Sequence, residues 1–244
     1  MLPLGYTDFV PGTSRIIPAK KEPAMKEPME IPRPMQKAQD ARVLRRTHSK
    51  ALYVLAKIIR VVTVPPVMVG TLIILLSTLR TDVFSGFGES LCTLLFLAII
   101  PLMAYPISAA VPSIRKKGRD GQRNLAFLLS LVGYSGGMLY ALLTHVSRPL
   151  LIVFGTYFLS VIVLTVMNKV IRVRASGHAC SIAGPIGLVC YFLPPVCIVA
   201  SLALYVVIFW ASVHMGRHTV KEFIWGSLSS PLSLALVALI VTLL

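Results

Sequence analysis

Long apolar runs fill the chain from residue 62 onward, and short polar segments separate them. The runs are continuous rather than alternating, which predicts membrane-spanning helices and not barrel strands. A helix needs about 20 apolar residues to cross a hydrocarbon core of roughly 30 Å. The predicted fold class is an all-α, polytopic membrane helical bundle with about six or seven transmembrane helices. The predicted spans are 62–79, 89–112, 124–145, 149–168, 179–194, 195–213 and 222–244.

The fifth and sixth spans meet at Pro194 and Pro195. The apolar run of residues 179–213 is too long for one crossing, and proline breaks a helix because it lacks an N–H donor. Two helices joined by a tight turn are therefore favoured. One long kinked helix is the alternative.

The chain before the first span divides into two parts. Residues 1–45 are basic and rich in proline, a composition that predicts a disordered tail. Residues 46–61 mix basic and apolar positions, which predicts an amphipathic helix lying at the level of the lipid headgroups. Residues 62–244 then form the transmembrane domain.

Charge is distributed unevenly along this chain, which is 56% hydrophobic and carries a net charge of +15. Alternate loops lie on the same side of a membrane, so the tail shares one side with the loops at 113–123, 169–178 and 214–221. That side carries 22 of the 24 Lys and Arg residues, and only Arg80 and Arg148 fall on the other. The positive-inside rule then predicts an integral, multi-pass membrane protein with a cytoplasmic N-terminus.

The basic excess also bears on the partner. In so apolar a chain it favours membrane lipids and an anionic substrate, whereas nucleic acid is not expected because no soluble basic domain is present. If the loop cations bind phosphate, they are basic for that reason, and the tail is then the independent evidence for the orientation.

Three polar stretches on the basic side carry candidate chemistry: Lys116–Asn124, Arg174–Ala179 and Gly216–Glu222. Lys and Arg offer charge and forked donors to phosphoryl oxygens. A Ser-Gly pair just before a predicted helix offers N–H groups at the positive helix end. The histidines His178 and His218, on neighbouring loops, permit one nucleophile and one general acid.

Glu222 lies four residues after His218. On a helix this spacing places the carboxylate on the same face as the imidazole, where it fixes the tautomer. Each polar stretch alone has an ordinary explanation, as an orientation signal or a helix cap. Their joint occurrence on one side of the membrane predicts a single phosphate site.

At these residues the sequence resembles the type-2 phosphatidic acid phosphatase superfamily, whose motifs are K-x6-R-P, P-S-G-H and S-R-x5-H-x3-D. Lys116 and Arg123 reproduce the spacing of the first motif, with Asn124 in place of proline. Asp120 and Arg123 also match the D-x-x-R form of divergent members. The resemblance covers roughly residues 90–230.

The other two motifs are matched with substitutions. Ser176–His178 matches the second, with Ala175 in place of proline. His218 matches the third, with Glu222 at the Asp position. Ser212 stands where the family has arginine, so the guanidinium expected to clamp the phosphate is missing.

The resemblance implies a lipid-phosphate phosphatase that requires no metal or cofactor. Its substrate would be phosphatidate, phosphatidylglycerophosphate, or an isoprenyl phosphate or diphosphate. His218 would be the nucleophile that forms a phosphohistidine, Glu222 would orient it, and His178 would protonate the leaving alcohol. The groups implied to hold the phosphoryl group are Lys116, Arg123 and the amides of Ser176 and Gly177. The candidates to replace the missing guanidinium are Arg217, Arg119 and Lys117.

Two other functions stay open. A catalytically impaired relative that binds or moves an anionic lipid is suggested by Ser212 and Asn124, which depart from the family motifs. A transporter or channel is less favoured, because the spans carry almost no charge away from their ends, whereas transport pathways place ionisable residues at mid-membrane.

Overall fold

In the computed structural model, residues 50–243 are described, without the side chain of Ala51. Within this range the chain forms helices and no strand, so the all-α prediction is confirmed. The predicted tail, 1–45, and the first residues of the predicted interfacial helix, 46–49, lie outside the described residues. The helices are α1 (Lys50–Val62), α2 (Pro65–Leu79), α3 (Phe87–Ala110), α4 (Pro112–Lys116), α5 (Gly118–Leu143), α6 (Arg148–Val170), α7 (Gly177–Phe192), α8 (Pro195–His214) and α9 (Val220–Leu243).

Five of the described helices are long and apolar enough to cross a membrane: α3, α5, α6, α8 and α9. The pair α1 and α2 adds a sixth if the two are taken as one bent span. The chain is thus a helical bundle of membrane type. The fifth predicted span, 179–194, is α7, which has only 16 residues, about 24 Å of helix, so at most six of the described spans have full length. Because α2, α6, α8 and α9 enclose α7, this short helix is shielded from lipid.

The bend of 56° between α1 and α2 follows from the local sequence. Pro65 and Pro66 open α2, and Val64 before them is extended, as a residue that precedes proline usually is. At the end of α1, the N–H and the hydroxyl of Thr63 both donate to the carbonyl of Ile59, at 2.9 and 2.7 Å. Helix α1 therefore ends at Val62, and the extended residue Val64 separates it from α2.

The amphipathic character predicted for 46–61 is present in α1. One side of the helix packs against α8 and includes Ala56, which is completely buried. Lys50 and Lys57 are exposed, whereas Arg60 is half-buried. One cation of this helix therefore faces the protein and not the surroundings.

Contacts between loops define one end of the bundle. The guanidinium of Arg80 donates to the carbonyl of Phe192 at 3.0 Å, and the hydroxyl of Ser147 donates to the carbonyl of Val83 at 2.6 Å. The segments after α2, α5 and α7 therefore meet at the same end, as the parity of the predicted crossings requires. The starts of α5, α7 and α9 belong to the opposite end.

The junction between the fifth and sixth predicted spans is a true break. Leu193 and Pro194 are both extended, and α8 begins at Pro195. Helices α7 and α8 then pack against each other. The prediction of two helices is confirmed, and the alternative of one long kinked helix is wrong.

The predicted loop at 113–123 is largely helical, which corrects the sequence interpretation. Pro112 opens the short helix α4, and Gly118, the first residue of α5, turns the chain with a φ of +56°. A left-handed φ of this kind favours glycine, which has no Cβ to clash. Arg119, Asp120 and Arg123 therefore lie on the first turns of α5.

Candidate functional site

The turn before α7 is held by the side chain of Asn168. Its amide nitrogen donates to the carbonyl oxygens of Leu164, at 2.9 Å, and Ala175, at 3.2 Å. Its amide oxygen accepts from the N–H of Ala175 at 3.2 Å. Asn168 thereby fixes the backbone just before Ser176, whose hydroxyl caps α7 by accepting from the N–H of Ala179 at 3.2 Å. The helix cap anticipated for this stretch is present.

The start of α9 is a capping box, a reciprocal pair of bonds that satisfies N–H groups at a helix end. The N–H of Glu222 donates to the hydroxyl of Thr219, and the N–H of Thr219 donates to the carboxylate of Glu222, both at 3.2 Å. The same carboxylate oxygen lies 3.8 Å from Nδ1 of His218. Glu222 therefore shapes the helix start and lies near the imidazole. The predicted reason was a shared helix face, which is wrong, because His218 precedes α9 and is not on a helix.

The first turns of α7 and α9 are joined directly through their backbones. The N–H of Ser176 donates to the carbonyl of Glu222 at 2.9 Å. Gly226, one turn later on α9, lies against Ser176 so closely that a Cβ there would overlap the Ser176 carbonyl oxygen and lie 2.8 Å from its nitrogen. Only glycine permits this approach, which places the two histidine-bearing segments side by side.

His178 and His218 face each other across this junction. Their ring centroids are 6.4 Å apart and the ring planes differ by 18°. Nε2 of His178 is buried and has no hydrogen-bond partner among the described residues. The side chain of His218 is 19% exposed. Two histidines that are 40 positions apart in the sequence thus come within reach of one bound group.

Two arginines act on this histidine pair with positive charge, and a third acts on one of those two arginines; Arg119 and Arg123 are exposed, whereas Arg60 is half-buried. Arg123 on α5 acts electrostatically on His218, and Arg60 on α1 acts on both His178 and His218. Arg119 on α5 is in turn a charged neighbour of Arg60. Arg119 and Arg123 were predicted site residues, whereas Arg60 was predicted only as part of the interfacial helix.

Burial lowers the pKa of His218 to about 4, and the charges of Arg60 and Arg123 add to this effect. The carboxylate of Glu222 acts in the opposite direction but does not outweigh burial. His218 is therefore neutral at pH 7, the form in which an imidazole nitrogen carries a lone pair that can attack an electrophile.

The other predicted site residues differ in how exposed they are to solvent. Lys116 is exposed on α4, before the Gly118 corner, and is not among the charges that act on His218. Arg217 is half-buried next to His218. Ser212 is completely buried, and its hydroxyl has no hydrogen-bond partner within residues 50–243.

One predicted phosphate donor needs correction. The N–H of Ser176 is already bonded to the Glu222 carbonyl, so it is not free for a phosphoryl oxygen. The Ser176 hydroxyl is likewise engaged in capping α7. The N–H groups that α7 can offer to an anion at its positive end are those of Gly177 and His178.

We expect Gly226→Ala to destabilise the protein by about 1–3 kcal/mol, the usual range for a methyl group forced into a packed contact. The added Cβ meets the Ser176 backbone, which cannot move without breaking the bond to Glu222. Thermal unfolding in detergent measures the effect. Gly187→Ala is the matched control, because its Cβ would lie at an ordinary 3.5 Å from Leu234. Equal unfolding midpoints for the two variants would refute the proposed contact.

No protein-family model, curated protein or solved structure matches the chain. Within residues 50–243, no group of three or more His, Cys, Asp and Glu side chains is arranged to hold a metal ion. The ionisable groups that the described residues bring to this junction are His178, His218 and Glu222.

Proposed function

We propose that the protein is a membrane lipid-phosphate phosphatase, which hydrolyses a lipid phosphomonoester or an isoprenyl phosphate or diphosphate through a phosphohistidine intermediate. The observation that carries the proposal is the juxtaposition of His178 and His218 at 6.4 Å. A displacement at phosphorus needs a nucleophile on one side and a proton donor for the leaving oxygen on the other. Two neighbouring imidazoles can supply both.

The nucleophile is His218. Its Nδ1 faces the Glu222 carboxylate at 3.8 Å, and the negative charge there favours the tautomer with the proton on Nδ1, which leaves the Nε2 lone pair free to attack. His178 is largely buried near the charge of Arg60 and is neutral in the free protein, so it first takes the proton of the monoanionic phosphate group of the bound substrate. As Nε2 of His218 bonds to phosphorus, the ester P–O bond breaks and the leaving alkoxide takes that proton from His178. A water molecule then attacks phosphorus and gives a proton back to His178. The P–N bond breaks, and inorganic phosphate leaves with this proton, which restores both histidines.

The arginines and helix α7 hold the phosphoryl oxygens. Arg123 and Arg119 project from the first turns of α5, while Gly177 opens α7 with its N–H at the positive end of the helix dipole. Fixed positive groups aimed at developing negative charge stabilise a phosphoryl-transfer transition state. The site lies at the end of a membrane bundle, where a lipid headgroup would be presented.

The direct test is phosphate release by the purified protein, in a metal-free buffer, over a panel that includes phosphatidate and undecaprenyl diphosphate. The proposal expects turnover of at least one lipid phosphate and none with a His218→Ala control. Absence of turnover across the panel would reject the enzyme.

We expect Glu222→Gln to slow turnover by about 10-fold to 100-fold without unfolding the protein. Glutamine can still accept the Thr219 N–H, so the capping box survives, while the negative charge opposite Nδ1 of His218 is lost. Steady-state kinetics and a thermal unfolding curve are measured together. Unchanged turnover in this variant would show that Glu222 serves only as a helix cap.

A second function is favoured by one observation. The position at which the resembled family has arginine is Ser212, which is completely buried and offers no charge. A relative that binds or moves an anionic lipid without hydrolysis would have no need of that guanidinium. Binding of phosphatidate vesicles without phosphate release would support this function over the phosphatase.

A further inference from the structure

We infer that Arg60, from the N-terminal amphipathic helix α1, is a phosphate ligand of this site and supplies the guanidinium that is absent at Ser212. The inference rests on the proposed function and extends it to a residue outside the resembled motifs. It makes α1 part of the active site as well as an interfacial element.

The packing of α1 directs Arg60 toward the site. Arg60 lies one turn after Ala56, which is completely buried, and residues four apart share a helix face. The neighbouring Ile59 packs against a core cluster that includes Ala179 and Phe223. These two residues directly follow His178 and Glu222 in the chain. The end of α1 is therefore anchored against the helix turns that carry the proposed catalytic groups.

The bend after α1 keeps the helix in this position. Pro65 and Pro66 stop α1 from continuing into α2, and the two helices diverge by 56°. Helix α1 instead packs on α8, the helix that carries Ser212. A guanidinium supplied from α1 can thus compensate for a side chain lost from α8.

The charges around Arg60 also indicate an anion. Arg60 is half-buried, and its charged neighbours include another arginine, Arg119. It also acts on both His178 and His218. Arg119 is exposed at the start of α5, and the repulsion between the two guanidinium charges is relieved when an anion lies between them. A tetrahedral phosphoryl group, with several acceptor oxygens, satisfies the forked donors of both arginines.

The test compares Arg60→Gln with Lys57→Gln in the full-length protein. Glutamine keeps a long stem for packing and removes only the charge, and Lys57 is an exposed cation one turn earlier on the same helix. Loss of a preorganised charged donor lowers turnover by roughly 100-fold to 1,000-fold. We expect that loss in Arg60→Gln and wild-type turnover in Lys57→Gln.

Chemical rescue separates a ligand from a packing residue. In Arg60→Ala, added guanidinium should restore part of the lost turnover, whereas urea, a neutral molecule of the same shape, should not. A purely structural role for Arg60 predicts no difference between the two additives, and that result would overturn the inference.

The failure of this inference is distinguishable from failure of the phosphatase. If the wild-type protein hydrolyses a lipid phosphate and Arg60→Gln does so at the same rate, Arg60 is not a ligand and the phosphatase stands. If the wild-type protein hydrolyses nothing, binding of orthovanadate, a phosphate analogue, decides the matter. Weaker vanadate binding in Arg60→Gln than in Lys57→Gln supports an anion site that includes Arg60, and equal binding overturns it.

Discussion

His218→Ala is expected to abolish phosphate release from lipid phosphates. The variant lacks the nitrogen that bonds to phosphorus, so the covalent route closes altogether. Removal of the nucleophile from a hydrolase that works by covalent catalysis lowers kcat by on the order of 10⁶. A sensitive assay should therefore find only the background rate.

The loss must come from chemistry and not from unfolding. His218 lies in the turn before α9, and its side chain is 19% exposed, so we expect its truncation to leave the helix contacts intact. Size-exclusion behaviour and the thermal unfolding midpoint in detergent should match those of the wild-type protein. A well-folded His218→Ala protein that still turns over substrate would contradict the mechanism.

His178→Gln is expected to lower turnover of lipid phosphates by about 100-fold to 10,000-fold, the range contributed by a general acid. An alkoxide is a poor leaving group, and without a proton from His178 the ester P–O bond breaks slowly. Nε2 of His178 has no hydrogen-bond partner among the described residues, so removing it breaks no bond within that part of the chain.

The dependence on the leaving group distinguishes this role from phosphate binding. A p-nitrophenolate leaves without protonation, so p-nitrophenyl phosphate should be hydrolysed by His178→Gln at close to the wild-type rate. Lys57→Gln, a change at an exposed cation of α1, should leave both reactions unaffected. An equal loss for the aryl and the lipid substrate would show that His178 binds the phosphoryl group and does not protonate the leaving oxygen.

The fold was largely predictable because a membrane demands it. Continuous apolar runs have no water to satisfy their backbone groups, so they must be helical, and proline pairs mark where helices break. The break at Pro194 and the bend before Pro65 follow directly from these rules. The short length of α7 does not follow from these rules, because the enclosure of α7 by four other helices depends on tertiary packing.

The site was predictable where its members lie within one segment. The spacing of His218 and Glu222 predicts that they lie close together, and Nδ1 of His218 is 3.8 Å from the Glu222 carboxylate, although His218 lies in the turn before α9 and not on the helix. The proximity of His178 required a topological argument, namely that alternate loops share a side, and the ring distance of 6.4 Å agrees with it.

The remaining parts of the site depend on long-range packing. Nothing in the sequence separates Arg60 from Lys57, since both are cations in an amphipathic helix. Only the docking of α1 on α8 makes one half-buried and the other exposed. The hydrogen bond from the Ser176 N–H to the Glu222 carbonyl was likewise not predictable from the sequence. It depends on how closely Gly226 lets α9 approach the start of α7.

The most direct measurement is to trap the phosphoryl group on the enzyme. The protein is mixed with a lipid phosphate labelled at phosphorus and quenched in alkali, in which a phosphohistidine survives, and the label is located by mass spectrometry of peptides. The phosphatase mechanism predicts a labelled peptide that carries phosphate on His218 and no label in His218→Ala. Rapid turnover in which the label appears on another residue, or never on the protein, would contradict it.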